Sequence, residues 1–370
     1  MKSVRGFPWP FLLLLAGAGV ATIHGTALVS VSSSVVLIVF LPPLLFDAGF
    51  SLGLAHLRQQ WRWIALFGVA GSVLAAALAF SLLSLLRFPL VEALLLSAVL
   101  AATDPVSVFS ALRRSTSPAR LRVTLEGESL ANDAVAVVLT AVALGIITSS
   151  PRLALAVPLL FLRLSLVGVA VGLLVGVVIR RVVARLPLAV GMAATIPFAY
   201  GAFFASDRLG GSGLLAVIVS AVLAASGTSA SVNASLQAFW RSLGAAMAAL
   251  VFLLIGLQVR IDVIALDGGR LVVLFAALTL SRALMVFLVS RSAGTLWPWR
   301  WQVALTWAGL RGALSLALAL SIPVHLSGRV EVVTLTAGYI LLSTAIQGLS
   351  ISPVFRWLRM CGADHAVSGL

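Results

Sequence analysis

Apolar runs follow one another along almost the whole chain, divided by short stretches carrying Pro, Gly, Ser or charge. Each run is long enough to cross a bilayer as a helix, which satisfies its own backbone hydrogen bonds. The runs predict spans at roughly 8–24, 29–52, 62–86, 90–111, 124–148, 152–180, 187–206, 209–226, 235–257, 270–290, 300–322 and 332–355. The expected fold is therefore an all-α polytopic membrane protein of about 12 transmembrane helices, because runs this long favour a helical bundle over a barrel. Met1 to Gly25 imitates a signal peptide, but Val29 runs straight on into further apolar sequence, so it reads as a retained first span.

Composition agrees: the 370 residues are 61% hydrophobic and 10% charged, against roughly a quarter charged in soluble domains. The net charge of +14 raises the question of nucleic acid. The basic residues instead stand singly or in pairs between spans, where they act as topology signals, so no nucleic-acid partner is expected. With the N-terminus in the cytoplasm, 16 Lys and Arg residues fall inside and 6 outside. Both termini are then cytoplasmic. Arg163, Arg282 and Arg311 remain within spans. Arg163 can snorkel or mark a misdrawn boundary; the other two sit deeper and need partners. One cysteine, Cys361, excludes an intrachain disulfide or a cysteine metal site, and four scattered histidines do not have ligand spacing. No nucleophile, metal or cofactor constellation marks an enzyme, and no cofactor is expected.

Four acids lie within spans: Asp47, Asp104, Glu128 and Asp133. A charge at mid-bilayer costs about 3 kcal/mol or more, so such residues mark function by default. The stretch Glu126-Gly127-Glu128-Ser129-Leu130-Ala131-Asn132-Asp133 is the richest. On a helix Ser129 and Asp133 share a face, as do Glu128 and Asn132. Glu128 lies about 140° around from Asp133, which makes it a flank rather than a co-ligand. Oxygens grouped this way suit a hard monovalent cation such as Na⁺ or Li⁺. Polar glue between helices is the plainer reading, but two acids and an amide exceed what glue needs.

Upstream, Thr103-Asp104-Pro105 should break the fourth span, since proline lacks a donor and disfavours helical geometry before it. The plainer reading is a proline kink, against which the neighbouring acid and hydroxyl argue. Irregular backbone at this depth is tolerated where it lines a site. Ala308-Gly309-Leu310-Arg311-Gly312-Ala313 offers a matching break in the eleventh span. Two such breaks in corresponding places suggest inverted repeats. The first repeat runs about 8–148, a linker helix 152–180, the second repeat 187–355, and a short cytoplasmic tail 358–370. Leu41-Pro42-Pro43-Leu44-Leu45-Phe46-Asp47-Ala48-Gly49 ends the second span; Asp47 there can line an ion funnel or be a merely interfacial acid.

These four pieces resemble sodium/proton antiporters of the NhaP/NHE type, within the monovalent cation–proton antiporter superfamily, in order from about Pro10 to Trp357. The resemblance implies that Asp133 binds the cation or proton, with Asp104 and Asn132 beside it. Ser129 and the Thr103 backbone or hydroxyl complete the shell around Na⁺. Glu128 is implied to form a structural ion pair, with Arg282 the first choice of partner and Arg311 the second. Family members typically have thirteen spans, so the resemblance implies that the first span here corresponds to their second, the family's first helix being part of its dimer interface. The implied partners are Na⁺ (or Li⁺ or K⁺), protons, lipid and a second copy in a homodimer. The implied place is a prokaryotic cytoplasmic (inner) membrane. A neutral Asn132, where electrogenic relatives carry a second aspartate, implies electroneutral one-for-one exchange by alternating access, serving pH and sodium homeostasis. The alternative is a cation channel or gated pore using the same acids.

Overall fold

The architecture below comes from a computed structural model that describes residues 9–24, 36–104, 118–148, 151–226, 229–258, 267–292, 297–358 and 360. Pro105, Arg113, Arg114, Arg260 and most of the tail 358–370 lie outside the described residues. Among those described, the regular structure is all helical. In chain order the helices are α1 (Trp9–His24), α2 (Leu41–Ile64), α3 (Gly71–Leu85), α4 (Leu90–Val99) and α5 (Ala119–Thr148). Then follow α6 (Pro151–Val183), α7 (Leu188–Arg208), α8 (Gly213–Ala224), α9 (Ala230–Gln258) and α10 (Gly268–Ser292). Last come α11 (Trp299–Trp307), α12 (Ala313–Ser321), α13 (Arg329–Ser343) and α14 (Leu349–Trp357). Wider π turns occupy Val36–Phe40, Ala65–Ala70 and Thr344–Gly348.

Among the described residues, seven helical segments are long and apolar enough to cross a membrane, and four shorter apolar helices accompany them. The chain is a multi-pass membrane protein. Their large exposed side chains, such as Leu159, Leu166 and Leu174 on α6, are apolar, as a surface facing lipid requires.

The connection expected after the second span is not a loop. Helix runs on through it and breaks only at Gly53, with φ 64° and ψ 154°. Glycine takes that conformation without strain, and the flanking Leu, Arg and Gln residues are good helix formers. Earlier in α2, Pro43 has no N–H to give the carbonyl of Val39. The Tyr200 hydroxyl of α7 donates to that oxygen instead, at 2.7 Å.

The helices pack in two sets. In one, α8 packs on α6, α7 and α2, while α9 packs on α1 and α2. In the other, α3 packs on α10 and α4, α4 on α5 and α13, and α12 on α13. Helix α5 meets the first set through α2 and α6. Arg163 sits beside Gly210, in the turn between α7 and α8, where Ser212 N–H donates to Leu164 O at 2.9 Å. It is exposed and reaches that turn from within the candidate span Leu159–Val183.

At one end of the molecule, Arg270 of α10 pairs with Glu92 of α4 and lies over Phe88, 5.1 Å from its ring centre. At the other, Arg120 lies over Trp63 and Trp297, 4.9 and 5.4 Å from their centres. Aromatic rings and arginines at the two ends suit the two membrane–water interfaces.

Candidate functional site

Both interruptions lie at one place. Helix α4 stops at Val99 and residues 102–104 are non-helical; α11 stops at Trp307 and α12 begins at Ala313. The two non-helical stretches touch: Asp104 N–H donates to Leu310 O at 2.7 Å. The glycines of the second stretch make the crossing possible. A Cβ on Gly312 would stand 2.6 Å from Asp104 Cβ, and one on Gly309 would overlap Arg282 Cδ.

Backbone freed from a helix in a membrane must find partners. Arg311 donates from Nη1 to Ala101 O and Ala102 O, each at 3.0 Å. Ser315 Oγ reaches Ala102 O at 3.4 Å. The cation thus caps the negative end of α4. Tyr339 of α13 bonds to the same guanidinium. Arg311 is consequently not the partner of Glu128.

That partner is Arg282. Its Nη2 lies 2.8 Å from Glu128 Oε1, with both side chains buried. Its Nε also donates to Leu305 O at 2.9 Å. Opposite charges this close neutralise each other and hold α5 to α10.

Thr103 is gripped by α5 at every polar atom. Its N–H donates to Asn132 Oδ1 at 3.3 Å, and Asn132 Nδ2 donates to its hydroxyl at 2.6 Å. Ser129 Oγ donates to Thr103 O at 2.9 Å, and the two hydroxyls lie 3.1 Å apart. The helical spacing that groups Ser129 with Asn132 thus presents them to a loose strand of backbone.

Asp133 behaves differently. It is 5% exposed, and its Oδ1 has no hydrogen-bond partner among the described residues. Asp133, Asp104 and Thr103 line one cavity of about 50 Å³. Its remaining walls are the first turn of α12, from Gly312 to Ser315, and the apolar Leu41, Leu44, Leu45 and Ala48 of α2. The first turn of a helix has N–H groups without intrahelical acceptors, so α12 turns its positive end to the acids. A space this size holds a water or two, or a small desolvated ion. Asp47 lies on another face of α2 from this wall: Gly244 of α9 is its neighbour, with Asp47 Oδ2 3.1 Å from where a Cβ would stand.

Ser315, Leu310 and Tyr339 did not stand out along the chain. Ser315 and Tyr339 are single polar side chains in apolar runs, a pattern shared with many ordinary helix contacts. Leu310 acts through its carbonyl, which no side-chain pattern signals.

A membrane bundle in which two non-helical stretches meet beside the carboxylates of Asp133 and Asp104 is compatible with a secondary transporter. The chain belongs to the transmembrane sodium/hydrogen exchanger family, whose pattern matches residues 2–357. It is 34% identical to the Na⁺/H⁺ antiporter ApNhaP of Aphanothece halophytica, across 97% of this chain and 71% of that protein. It is 32% identical to the Na⁺/H⁺ antiporter NhaH of Halobacillus aidingensis, across 89% of this chain and 84% of that one. The fold is similar to that of the sodium proton antiporter MjNhaP1 from Methanocaldococcus jannaschii. The TM-score is 0.73 at 19% identity, covering 94% of this chain and 92% of that one.

Proposed function

We propose that this chain exchanges Na⁺ for H⁺ by alternating access, with Asp133 as the carboxylate that binds one or the other. The observation that carries it is the shared cavity of Asp133 and Asp104, where the non-helical stretch after α4 meets the one between α11 and α12. Asp133 lines a small buried space and keeps Oδ1 without a hydrogen-bond partner among the described residues; a cation or a proton can satisfy this carboxylate but both cannot. Thr103, held by Ser129 and Asn132, supplies the other oxygens near that space. In this reading Ser129 and Asn132 first hold the break in shape, and the ion shell is chiefly Asp133, Asp104 and Thr103.

The neutral Asn132 leaves Asp133 as the one acid of α5 facing the cavity, since Glu128 is bound to Arg282. With Asp104 of the same cavity staying charged throughout, exchange at Asp133 alone supports one cation per proton and no net charge moved. The repeats at 8–148 and 187–355 then supply the two broken helices, and one packed set of helices moves against the other. Both chain ends lie on the arginine-rich, cytoplasmic face.

The test uses the protein in proteoliposomes with an internal pH dye. A Na⁺ pulse drives proton movement that Asp133→Asn abolishes, and clamping the membrane potential leaves the rate unchanged. Proton movement undiminished by Asp133→Asn overturns the site. Currents without proton counter-movement favour a channel instead. A strong dependence on potential overturns electroneutrality.

A further inference from the structure

A second, larger cavity of about 350 Å³ lies beside the ion-binding helix. Gly127, Leu130 and Ala131 form one wall, on a flank of α5 about 60–160° around from Asp133. Leu173 of α6 and Val219 of α8 form the other, with Leu57 and Ile64 of α2 at one end. The lining is apolar throughout. The cavity therefore follows the seam between the two packed sets of helices.

Protein interiors rarely leave a void this size, since the lining forgoes its dispersion contacts. Water gains nothing there without polar partners. The natural occupant is the solvent of this surface, the hydrocarbon of the bilayer. Leu173 is 47% exposed and stands beside exposed Leu174 and Leu166, so one side of the cavity borders the lipid-facing surface of α6.

The end near Leu57 lies at a membrane–water boundary. Exposed Trp61 follows one turn later, with Arg62 over its ring at 5.7 Å. Arg58 is exposed beside Leu57, and Arg180 and Arg181 end α6 about 10 Å beyond Leu173 by helical rise. No acid lies within four residues of any of them. Positive charge at the mouth of an apolar slot is complementary to an anionic headgroup above a hydrocarbon chain.

We propose that this cavity holds one acyl chain of an anionic phospholipid, drawn from the leaflet on the arginine-rich side. The chain lies against this flank of α5 and fills the seam across which the two sets of helices meet. The inference is independent of which ion is carried.

Phosphatidylglycerol with a photoactivatable group midway along one acyl chain tests it, with the full protein in liposomes. Labelled residues are mapped by mass spectrometry. The expected result is label on Leu130, Ala131 and Val219, which exceeds that on openly exposed Leu166 and Leu174. Ala131→Phe, which fills the slot, should abolish the cavity label and leave the α6 surface label intact. Leu173→Trp, which narrows the side next to lipid, is the second variant should the first fail to fold. Phosphatidylcholine carrying the same chain should label the cavity less. Cavity label no denser than surface label overturns the proposal. So does label that persists in the filled variants. Equal labelling by both lipids overturns the headgroup assignment. A cavity shielded from label in a dimer, but not in monomers, shows a second copy as the occupant and overturns the proposal too.

Discussion

Glu128 and Asp133 stand five residues apart on the same buried helix, yet their surroundings are opposite. Glu128 faces α10 and is bound to Arg282 at 2.8 Å. Asp133 faces a cavity and keeps one oxygen without a hydrogen bond among the described residues. A membrane can hold a carboxylate in either way. A fixed counter-charge makes the acid a strut, whereas an open cavity leaves it available to whatever cation enters. The helical period divides the two roles by turning the residues about 140° apart.

The largest expected effect tests that division directly. Arg282→Ala leaves Glu128 buried without its counter-charge, which costs about 3–5 kcal/mol. Thermal unfolding of the purified protein in detergent should show the loss. Glu128→Gln combined with Arg282→Met should restore most of it, because a buried pair can be replaced by packed neutral groups at little cost. Asp133→Asn should leave the unfolding temperature unchanged or raise it, while transport disappears. Equal losses of stability in Arg282→Ala and Asp133→Asn would break the comparison.

The crossing of the breaks comes next. Gly312→Ala puts a methyl group 2.6 Å from Asp104 Cβ, and overpacking of this kind costs about 1–3 kcal/mol. The displaced carboxylate should also weaken Na⁺ binding, seen as a higher apparent KM in liposome transport. Gly309→Ala should lower stability but spare KM, because it presses on Arg282 instead. Identical outcomes for the two glycines would show that strut and cavity are not separate.

Much of this was legible in residue patterns. The two rows on α5 follow from spacing alone, and proline or paired glycines mark both breaks. What pattern could not supply was partnership. Arg282 and Arg311 are both lone arginines in apolar runs, and only the fold shows one reaching an acid and the other reaching two carbonyls. The clustered oxygens of Ser129 and Asn132 suit an ion, and spacing alone does not show that both also bond to Thr103. The structure bonds them to Thr103, since a break inside a membrane needs donors and acceptors for its own backbone. Gly53 was hidden for another reason: the polar stretch after it reads as a loop, yet its residues favour helix. Asp47 sits in a recognisable motif, but its helix turns Leu44, Leu45 and Ala48 to the cavity and Asp47 to Gly244.

The smallest effect belongs to a second ion pair among the described residues, Arg270 with Glu92. It also joins two helices, α4 and α10, and by chemistry alone it equals the pair of Arg282 and Glu128. Exposure separates them: the Arg270 side chain is 37% exposed and that of Arg282 is 6%. Water already solvates Arg270, and Asp267 lies 4.0 Å from it as an alternative partner. Arg270→Ala should therefore cost less than Arg282→Ala, the remaining cost coming from Glu92, whose side chain is 10% exposed, and from the lost contact with Phe88. Raising salt should shrink that smaller cost, because exposed charges are screened, and should leave the cost of Arg282→Ala in place. Unfolding measured for both variants at low and high salt decides the point. A cost for Arg270→Ala as large and as salt-resistant as that of Arg282→Ala would mean that burial is not what makes Glu128 a strut. The contrast with Asp133 would then have to rest on the cavity alone.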